Sequence, residues 1–273
     1  MKKWWPCFFL LTACLCSPYI RKKPTIIRIV GSDTLLLLTG RWAEEYMKQH
    51  PEVSIHFEGG GTKKGVEALI EGRADICTAS RPLNPSEIRL LAERHKVIGI
   101  SHLVAKDALS IYLHPDNPVQ NLTREQLKDI FTGVISNWRQ IGGPDEPILV
   151  IVRSPNSGTY QYFKEHVLNG ENYVSTAVVM PTTPAVARAV AEHRAAIGYG
   201  GAGFGSNVRH CSVDGVEPTA ENVRNDTYPL VRYLYFFTAN TPRGAVKAFI
   251  DWVLRDGQKI VGELGYFPLW GEP

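Results

Sequence analysis

The chain has 273 residues, of which 44% are hydrophobic and 21% are charged, and its formal net charge is +3. This composition is typical of a soluble globular protein with one large domain or two lobes. The net charge is too small to indicate binding to nucleic acid or to an anionic membrane surface.

The first fourteen residues, "MKKWWPCFFLLTAC", combine a basic start, a short apolar stretch and a cysteine that follows a small residue. The apolar stretch is too short to cross a bilayer as a helix, and the pattern resembles a bacterial lipoprotein signal. We expect residues 1–24 to be a signal and tether that is lipidated at Cys14. This predicts a location in the periplasm or at the outer face of the cell membrane. A plain secretory signal and a short buried segment are the alternatives.

The cysteines and histidines indicate no disulfide framework and no metal site. Cys7, Cys14 and Cys16 lie in or beside the signal, which leaves Cys77 and Cys211 for the folded part. We expect these two to be separate buried thiols in different lobes. There is no Cys-x-x-Cys pair and no ligand spacing among the eight histidines, so neither a metal nor a cofactor is predicted.

The first third of the chain repeats strand, glycine-rich turn and helix. The β-rich run "TIIRIV" stops at Gly31, and a helical pattern then places Leu35, Leu38, Trp42 and Tyr46 on one face. The strand-like "VSIHF" and "ADICTAS" are each followed by a helical segment. This alternation predicts an α/β sheet.

The remainder of the chain continues the alternation after the long strand "ALSIYLH". Thr123 and Gln126 have capping-box spacing, "ILVIV" is a buried strand, and Pro184 stands near the start of a helix. The segment "PRGAVKAFIDWVLRDGQKIVGELG" predicts one long helix that returns to the first lobe. We predict one lobe at 25–106 plus 231–273 and a second lobe at 107–230. The chain is expected to cross from one lobe to the other near residues 105–110 and 230–235.

Donor-rich loops follow several of the predicted strands. "GSDT" and "GGGT" precede helices, "RSPNSGT" joins a strand to a helix, and "ASR" supplies Ser80 and Arg81 at another strand end. Helix N-termini offer free N–H groups, hydroxyls add donors, and Arg153 carries a forked cation suited to a tetrahedral oxyanion. These loops predict a shared oxyanion site, although each alone is also compatible with ordinary helix capping.

Other sequence motifs lack the context that their chemistry needs. Gly198, Gly200 and Gly203 satisfy G-x-G-x-x-G, but loop and strand are predicted after them where a dinucleotide site needs a helix. "GGTKKGV" lacks the Gly-Lys-Ser/Thr of a P-loop, and Ser157 lacks the G-x-S-x-G setting of a hydrolase nucleophile.

Seven motifs occur in an order that is typical of one protein family. They are "GSDT", "GGGT" with a later glycine, "ADICTASRPL", "IFTGVISNW" followed by "IGG", "RSPNSGTYQYF", "AIGYGG" and "VDGVEPTAENV". Over about residues 25–270 the chain thereby resembles the phosphate-binding proteins of bacterial ABC phosphate importers. The resemblance implies a two-lobed, type II periplasmic-binding-protein fold, with hinge strands between the lobes, that closes on its ligand.

The resemblance also implies a ligand set for inorganic phosphate. Its positions are Ser32, Thr34 and the Leu35 N–H, Gly61 and Thr62, Ser80 and Arg81, and Arg153, Ser157, Gly158 and Thr159. Known members carry Ser at position 62, and many carry at position 81 an Asp that accepts the proton of hydrogen phosphate. Asp33 is the only acid in the four loops and could supply this acceptor, or could instead cap the following helix.

The sequence therefore predicts a binding protein and not an enzyme. The implied partners are inorganic phosphate, the permease subunits of an ABC importer and, through the lipid anchor, the membrane. A monomer without nucleic acid is expected. The alternatives are a receptor for sulfate, molybdate or tungstate, a phosphatase or serine hydrolase, and an adhesion or matrix protein that has kept the fold. The hydrolase alternative would need a metal or a nucleophile–base pair, and the sequence indicates neither.

Overall fold

The computed structural model describes residue 1 and residues 23–270. The strands are β1 Thr25–Gly31, β2 Val53–Glu58, β3 Ile76–Ala79, β4 Ile100–Leu113, β5 Asn121–Leu122, β6 Leu149–Arg153, β7 Val178–Met180, β8 Ala196–Gly201, β9 Arg209–Val213 and β10 Val231–Thr238. The α-helices are α1 Leu36–Gln49, α2 Thr62–Ile70, α3 Pro85–His95, α4 Arg124–Thr132, α5 Gly158–His166, α6 Thr183–Glu192, α7 Ala220–Arg224, α8 Gly244–Arg255 and α9 Gln258–Glu263. Short 3₁₀ turns occupy Asp33–Leu35 and Trp138–Ile141.

The strands form one curled sheet, in which eight follow the order β2-β1-β3-β10-β4-β8-β6-β7 and β9 pairs with both β4 and β5. Strand β1 is parallel to both β2 and β3, while β6 is parallel to β7 and β8. Strands β10 and β4 run antiparallel to each other in the middle of the order, and β4 then pairs antiparallel with β8. The two parallel groups are thus joined through β10 and β4, which confirms the predicted α/β architecture.

Two large hydrophobic cores lie on the two sides of this junction. The first lobe packs α1, α8 and α9 against the sheet around Trp42, Phe236 and Phe249. The second lobe is built around Phe131, Phe163 and Tyr199, and the rings of Phe163 and Tyr199 stack with centroids 4.2 Å apart. Each lobe thus has a hydrophobic core of its own.

The strand pair β4–β10 changes from one core to the other along its length. On β4, Ala105 belongs to the first core and Ala108 to the second. On β10, Leu234 packs in the first core, whereas Leu230, just before the strand, packs in the second. Both changes of core lie in the ranges 105–110 and 230–235, where the chain is predicted to cross between the lobes. The exact lobe boundaries at 106/107 and 230/231 stay a prediction.

The predicted inward face is confirmed, because Leu38, Trp42 and Tyr46 of α1 and Leu35 at the end of the preceding 3₁₀ turn are all buried. The periodicity of this segment sets an apolar stripe against the sheet, and that burial stabilises the helix more than its intrinsic propensity does. The stripe also orients the turn that precedes the helix, which carries part of the candidate site.

The prediction of one long C-terminal helix is wrong, since the segment divides into α8 and α9 at Gly257. The indole Nε1 of Trp42 donates to the carbonyl of Gly257 at 2.8 Å. A Cβ atom at this position would lie 2.8 Å from the Cα of Val253, so only glycine fits here. The buried face of α8 includes Trp252 with Phe249, Ile250 and Val253, and the segment packs on the first lobe as predicted.

Cys77 and Cys211 are free and buried in different cores, which confirms that they are separate thiols. Burial raises the pKa of Cys77, and burial raises that of Cys211 to about 12, so both stay protonated at neutral pH. Across residues 23–270 we find no helix with the length and apolar character required to traverse a bilayer. The predicted lipidation site Cys14 lies outside the described residues.

Candidate functional site

Four loops from the two lobes meet where β1, β2, β3 and β6 end. Each of them brings hydroxyl groups to the meeting point. The hydroxyl residues are Ser32, Thr34, Thr62, Ser80, Ser157 and Thr159, and none of them is more than 3% exposed. Six buried hydroxyls in one place call for polar partners, because an unpaired buried hydroxyl costs about 1–3 kcal/mol.

Within the first lobe, the hydroxyls already contact one another. The Ser32 Oγ donates to the Ser80 Oγ at 3.1 Å, and the Ser80 Oγ lies 3.5 Å from the Thr62 Oγ1. Ser32 also caps the 3₁₀ turn by accepting from the Thr34 N–H at 3.3 Å. Three loops of one lobe are thereby held at a common point.

The second lobe contacts this cluster directly. The Thr159 Oγ1 lies 3.1 Å from the Thr34 Oγ1. A Cβ atom at Gly158 would lie 2.3 Å from the Thr62 Oγ1 and 2.5 Å from the Ser80 Oγ. The start of α5 can therefore approach the first lobe this closely only because residue 158 has no side chain.

Two helices direct their N-termini into the cluster. Helix α2 begins at Thr62 and α5 at Gly158, and Ser157 caps α5 by accepting from the N–H groups of Thr159 and Tyr160. Gly61 has φ of +96°, which favours glycine, and its N–H donates to the carbonyl of Gly31 at 3.0 Å. First-turn N–H groups and the helix dipole favour a negative ligand at such a place.

Arg153 is the cation of the site and is 1% exposed. Its Nη1 donates to the Thr183 Oγ1 at 2.8 Å, and its Nη2 donates to the Asp33 Oδ2 at 2.8 Å. Its Nε is buried and has no partner in the protein. Burial lowers the pKa of Arg153 and the charge of Asp33 opposes this, yet a guanidinium remains protonated at any physiological pH.

Asp33 binds across the site instead of capping its own helix, so the capping alternative is wrong. Its Oδ1 accepts from the Gly60 N–H at 2.8 Å, and its Oδ2 accepts from Arg153. The N-cap position belongs to Ser32. The carboxylate therefore links the second loop of the first lobe to the arginine of the second lobe.

Two further predicted ligands have their groups directed elsewhere. The Nη1 and Nη2 of Arg81 pair with both carboxylate oxygens of Glu87 at 2.8 and 2.7 Å, and only its Nε is buried without a protein partner. The Leu35 N–H donates to the Ser32 carbonyl at 3.1 Å. Direct anion contacts from these two groups stay predictions that this geometry does not favour.

The sequence reasoning missed a buried ion pair next to the cluster. Arg232 on β10 donates from Nε and Nη2 to the Asp107 Oδ2 at 3.0 and 2.7 Å, and from Nη1 to the Thr159 Oγ1 at 3.0 Å. Burial raises the pKa of Asp107, and Arg232 opposes this shift. The available signal was one charged residue in each of two otherwise apolar stretches, Asp107 at the start of "DALSIYL" and Arg232 in "VRYLYFF".

Each buried arginine near the site has its own carboxylate. The pairs are Arg81–Glu87, Arg153–Asp33 and Arg232–Asp107. These six charges sum to zero, so an anion would bind through hydrogen-bond donors and helix ends more than through net charge.

The chemistry of this arrangement suits an anion. The Ser157 Oγ accepts two backbone N–H groups as a cap, and no histidine is bonded to it. Among residues 1 and 23–270, no group of three or more His, Cys, Asp or Glu side chains is placed to hold a metal ion. The loop residues and Arg153 converge as predicted, and what they can do together is surround a tetrahedral oxyanion with donors.

Comparison with known proteins places these features in a family. Residues 21–257 match the family model described as a PBP superfamily domain. The chain is 33% identical over 264 residues to the phosphate-binding protein PstS of Pseudomonas aeruginosa, covering 88% of this chain and 82% of that protein. It is 30% identical over 251 residues to PstS of Bacillus subtilis, covering 89% and 80%.

Solved structures agree with these matches. A phosphate ABC transporter substrate-binding protein from Clostridium perfringens, with bound phosphate, superposes with a TM-score of 0.83 at 31% identity, covering 90% of this chain and 100% of that one. An ABC-type phosphate transport receptor from Vibrio cholerae superposes with a TM-score of 0.75 at 30% identity, covering 88% and 99%.

Proposed function

The chain belongs to the phosphate-binding proteins of the PBP superfamily, and from this we infer that it is an extracytoplasmic receptor that captures inorganic phosphate between its lobes. It delivers the anion to the permease of an ABC importer. The observation that carries this proposal is the meeting of buried donors from both lobes around Arg153, whose buried Nε has no protein partner.

We assign the anion contacts to the convergent loops. The hydroxyls of Ser32, Thr34, Thr62, Ser80, Ser157 and Thr159, the first N–H groups of α2 and α5, and Arg153 are the proposed donors. A tetrahedral anion can accept up to about a dozen hydrogen bonds, and charge-assisted bonds contribute about 1.5–3 kcal/mol each. Gly61 and Gly158 let the backbone approach the anion closely.

Binding without turnover is supported by the same arrangement. The loops supply donors and a cation, while the one acid among them, Asp33, accepts hydrogen bonds from Gly60 and Arg153. General base catalysis needs a free acceptor next to the attacking group, and nucleophilic catalysis needs a base beside the hydroxyl. We propose that the protein holds and releases phosphate unchanged.

The remaining assignments concern where the receptor works. We propose that it acts as a monomer, tethered at Cys14 to the outer face of the cell membrane, from which it can reach the permease. Support comes from the basic and short apolar start of the sequence and from the relatives named for phosphate transport.

Titration calorimetry of the full chain tests the function. The protein is first unfolded and refolded to remove bound phosphate, and then titrated with phosphate, sulfate and molybdate. One site that prefers phosphate, with no hydrolysis of a phosphate ester, is the expected result. Absence of phosphate binding would overturn the proposal, and hydrolysis of a phosphate ester would show that the protein is an enzyme.

A receptor for another tetrahedral oxyanion is the second candidate. The observation behind it is that both oxygens of Asp33 already accept a hydrogen bond, while Arg81 stands where many relatives carry an acid. Each carboxylate oxygen has a further lone pair, so discrimination against sulfate, which lacks the proton of hydrogen phosphate, requires that one of these lone pairs face the anion. Equal affinity for sulfate and phosphate in the same titrations would favour this candidate.

A further inference from the structure

The two strands that connect the lobes carry a buried ion pair. Asp107 on β4 and Arg232 on β10 stand opposite each other in the antiparallel register, and their side chains are 0% and 1% exposed. Both lie in the stretch where β4 and β10 pass from one core to the other. Removing one partner of such a pair is strongly destabilising, because the other charge is left buried and unpaired.

Arg232 does more than neutralise Asp107. Two of its nitrogens bind one oxygen of the carboxylate, and the third, Nη1, reaches the second lobe and donates to the Thr159 Oγ1 at 3.0 Å. Its guanidinium carbon also lies 5.7 Å from the centre of the Tyr162 ring, on the same helix as Thr159. The guanidinium is thus fixed on three sides.

This contact determines which way the hydroxyl of Thr159 points. A guanidinium has only donors, so the Thr159 oxygen must accept from Arg232. The single proton of that hydroxyl is then free for another acceptor. The Thr34 Oγ1 at 3.1 Å is one, and an oxyanion between the loops would be the stronger one.

We propose that the Asp107–Arg232 pair orients the Thr159 hydroxyl as a donor to the bound anion, which makes Arg232 a positioning residue for phosphate affinity. The proposal rests on the proposed function. It also gives the hinge strands a link to the ligand, because the Tyr162 hydroxyl donates to the carbonyl of Val231 at 2.9 Å and ties α5 to β10 at a second point.

A double-mutant cycle tests the proposal. The variant Asp107→Asn/Arg232→Gln makes the pair neutral, and the glutamine side chain is too short to reach Thr159. This double substitution is made both in the otherwise unchanged chain and in a chain that carries Thr159→Val. Phosphate affinity is expected to fall about tenfold in the unchanged background and by less than about twofold in Thr159→Val, because the hydroxyl to be oriented is then absent. Thr159→Ser keeps the hydroxyl and should restore the full effect.

Arg232→Lys provides an independent arm if the neutral pair impairs folding. Lysine keeps the charge next to Asp107 but has no fork that could bind Thr159 at the same time. Arg232→Lys is therefore also expected to lower phosphate affinity only when the Thr159 hydroxyl is present. An equal loss of phosphate affinity with and without that hydroxyl, or no loss of affinity, would overturn the inference. Failure of the unchanged chain to bind phosphate would instead overturn the proposed function.

Discussion

The carboxylate of Asp33 and the guanidinium of Arg153 are joined by a 2.8 Å hydrogen bond, although they are 120 residues apart and belong to different lobes. Their side chains are 11% and 1% exposed, so solvent screens the contact little. The pair therefore links the two lobes beside the proposed anion site, so an opening of the lobes would separate the two charges. Anything that competes for Arg153 also acts on lobe closure.

We predict that Asp33→Asn narrows the preference for phosphate over sulfate. A carboxylate oxygen has a further lone pair that can accept the proton of hydrogen phosphate, and this acceptor repels sulfate. The amide keeps the size of the side chain but weakens the acceptor and leaves Arg153 without its counter-charge. Phosphate affinity should fall relative to sulfate affinity, as measured by calorimetry between about pH 5 and 8, a range over which inorganic phosphate changes from mainly the monoanion to mainly the dianion.

The selectivity ratio, and not either affinity alone, decides this prediction. Loss of the Asp33 charge also makes the site more positive, which favours both anions to a similar extent at the upper end of this pH range, where both are mainly dianions. A parallel change for phosphate and sulfate would mean that Asp33 only balances Arg153, and that selectivity arises from the shape of the closed cleft.

Arg153→Ala should weaken phosphate binding by about tenfold to a few hundredfold. The estimate corresponds to the loss of about 1.5–3 kcal/mol for one charge-assisted bond to a buried anion. Arg188→Ala is the matched control, since Arg188 is an exposed arginine on α6 of the same lobe and should change affinity by less than about twofold. Similar phosphate affinities for the two variants would show that Arg153 does not contact the anion.

Periodic patterns and helix-start motifs could be predicted from the sequence because they depend on near neighbours. The stripe of Leu35, Leu38, Trp42 and Tyr46 needs only the helical repeat, and the capping box of Thr123 with Gln126 needs only a spacing of three. The loop positions followed from the ends of predicted strands.

Long-range pairing could not be predicted in the same way. Asp107 and Arg232 are 125 residues apart, and nothing local marks them as partners. Arg81 is instructive because its partner is near. Glu87 accepts from the Asn84 N–H in a capping box and holds the guanidinium of Arg81 with the same carboxylate. The spacing of Asn84 and Glu87 was visible in the sequence. Whether Arg81 pairs with Glu87 or with an anion, however, depends on the direction of the Arg81 side chain.

Cys14→Ser should release the protein from the membrane fraction or block its processing. Lipidation requires the thiol, and two acyl chains are needed for stable anchoring. Cys16→Ser is the matched control and should leave the distribution unchanged, since residue 16 does not follow the small residue of the signal. Mass spectrometry of the native protein provides the direct measurement. A mature chain that begins beyond Cys16 without lipid would contradict the anchor.

Gly158→Ala should block closure of the lobes without unfolding either of them. The added methyl group would lie 2.3 Å from the Thr62 Oγ1 and 2.5 Å from the Ser80 Oγ, both on the opposite lobe. Within α5 the substitution is favourable, since alanine stabilises a helix by up to about 1 kcal/mol relative to glycine. The unfolding temperature without phosphate should therefore be unchanged or slightly higher.

Phosphate affinity of this variant should fall by about tenfold to a hundredfold, because overpacking a closed interface costs about 1–3 kcal/mol. Small-angle scattering measures the closure itself. The unchanged chain should become more compact when phosphate is added, whereas Gly158→Ala should keep the radius of gyration of the open form. A variant that compacts normally and binds phosphate with full affinity would show that α5 does not approach Thr62 and Ser80 in the bound state. The proposed contacts of Gly158 and Thr159 with the anion would then have to be withdrawn.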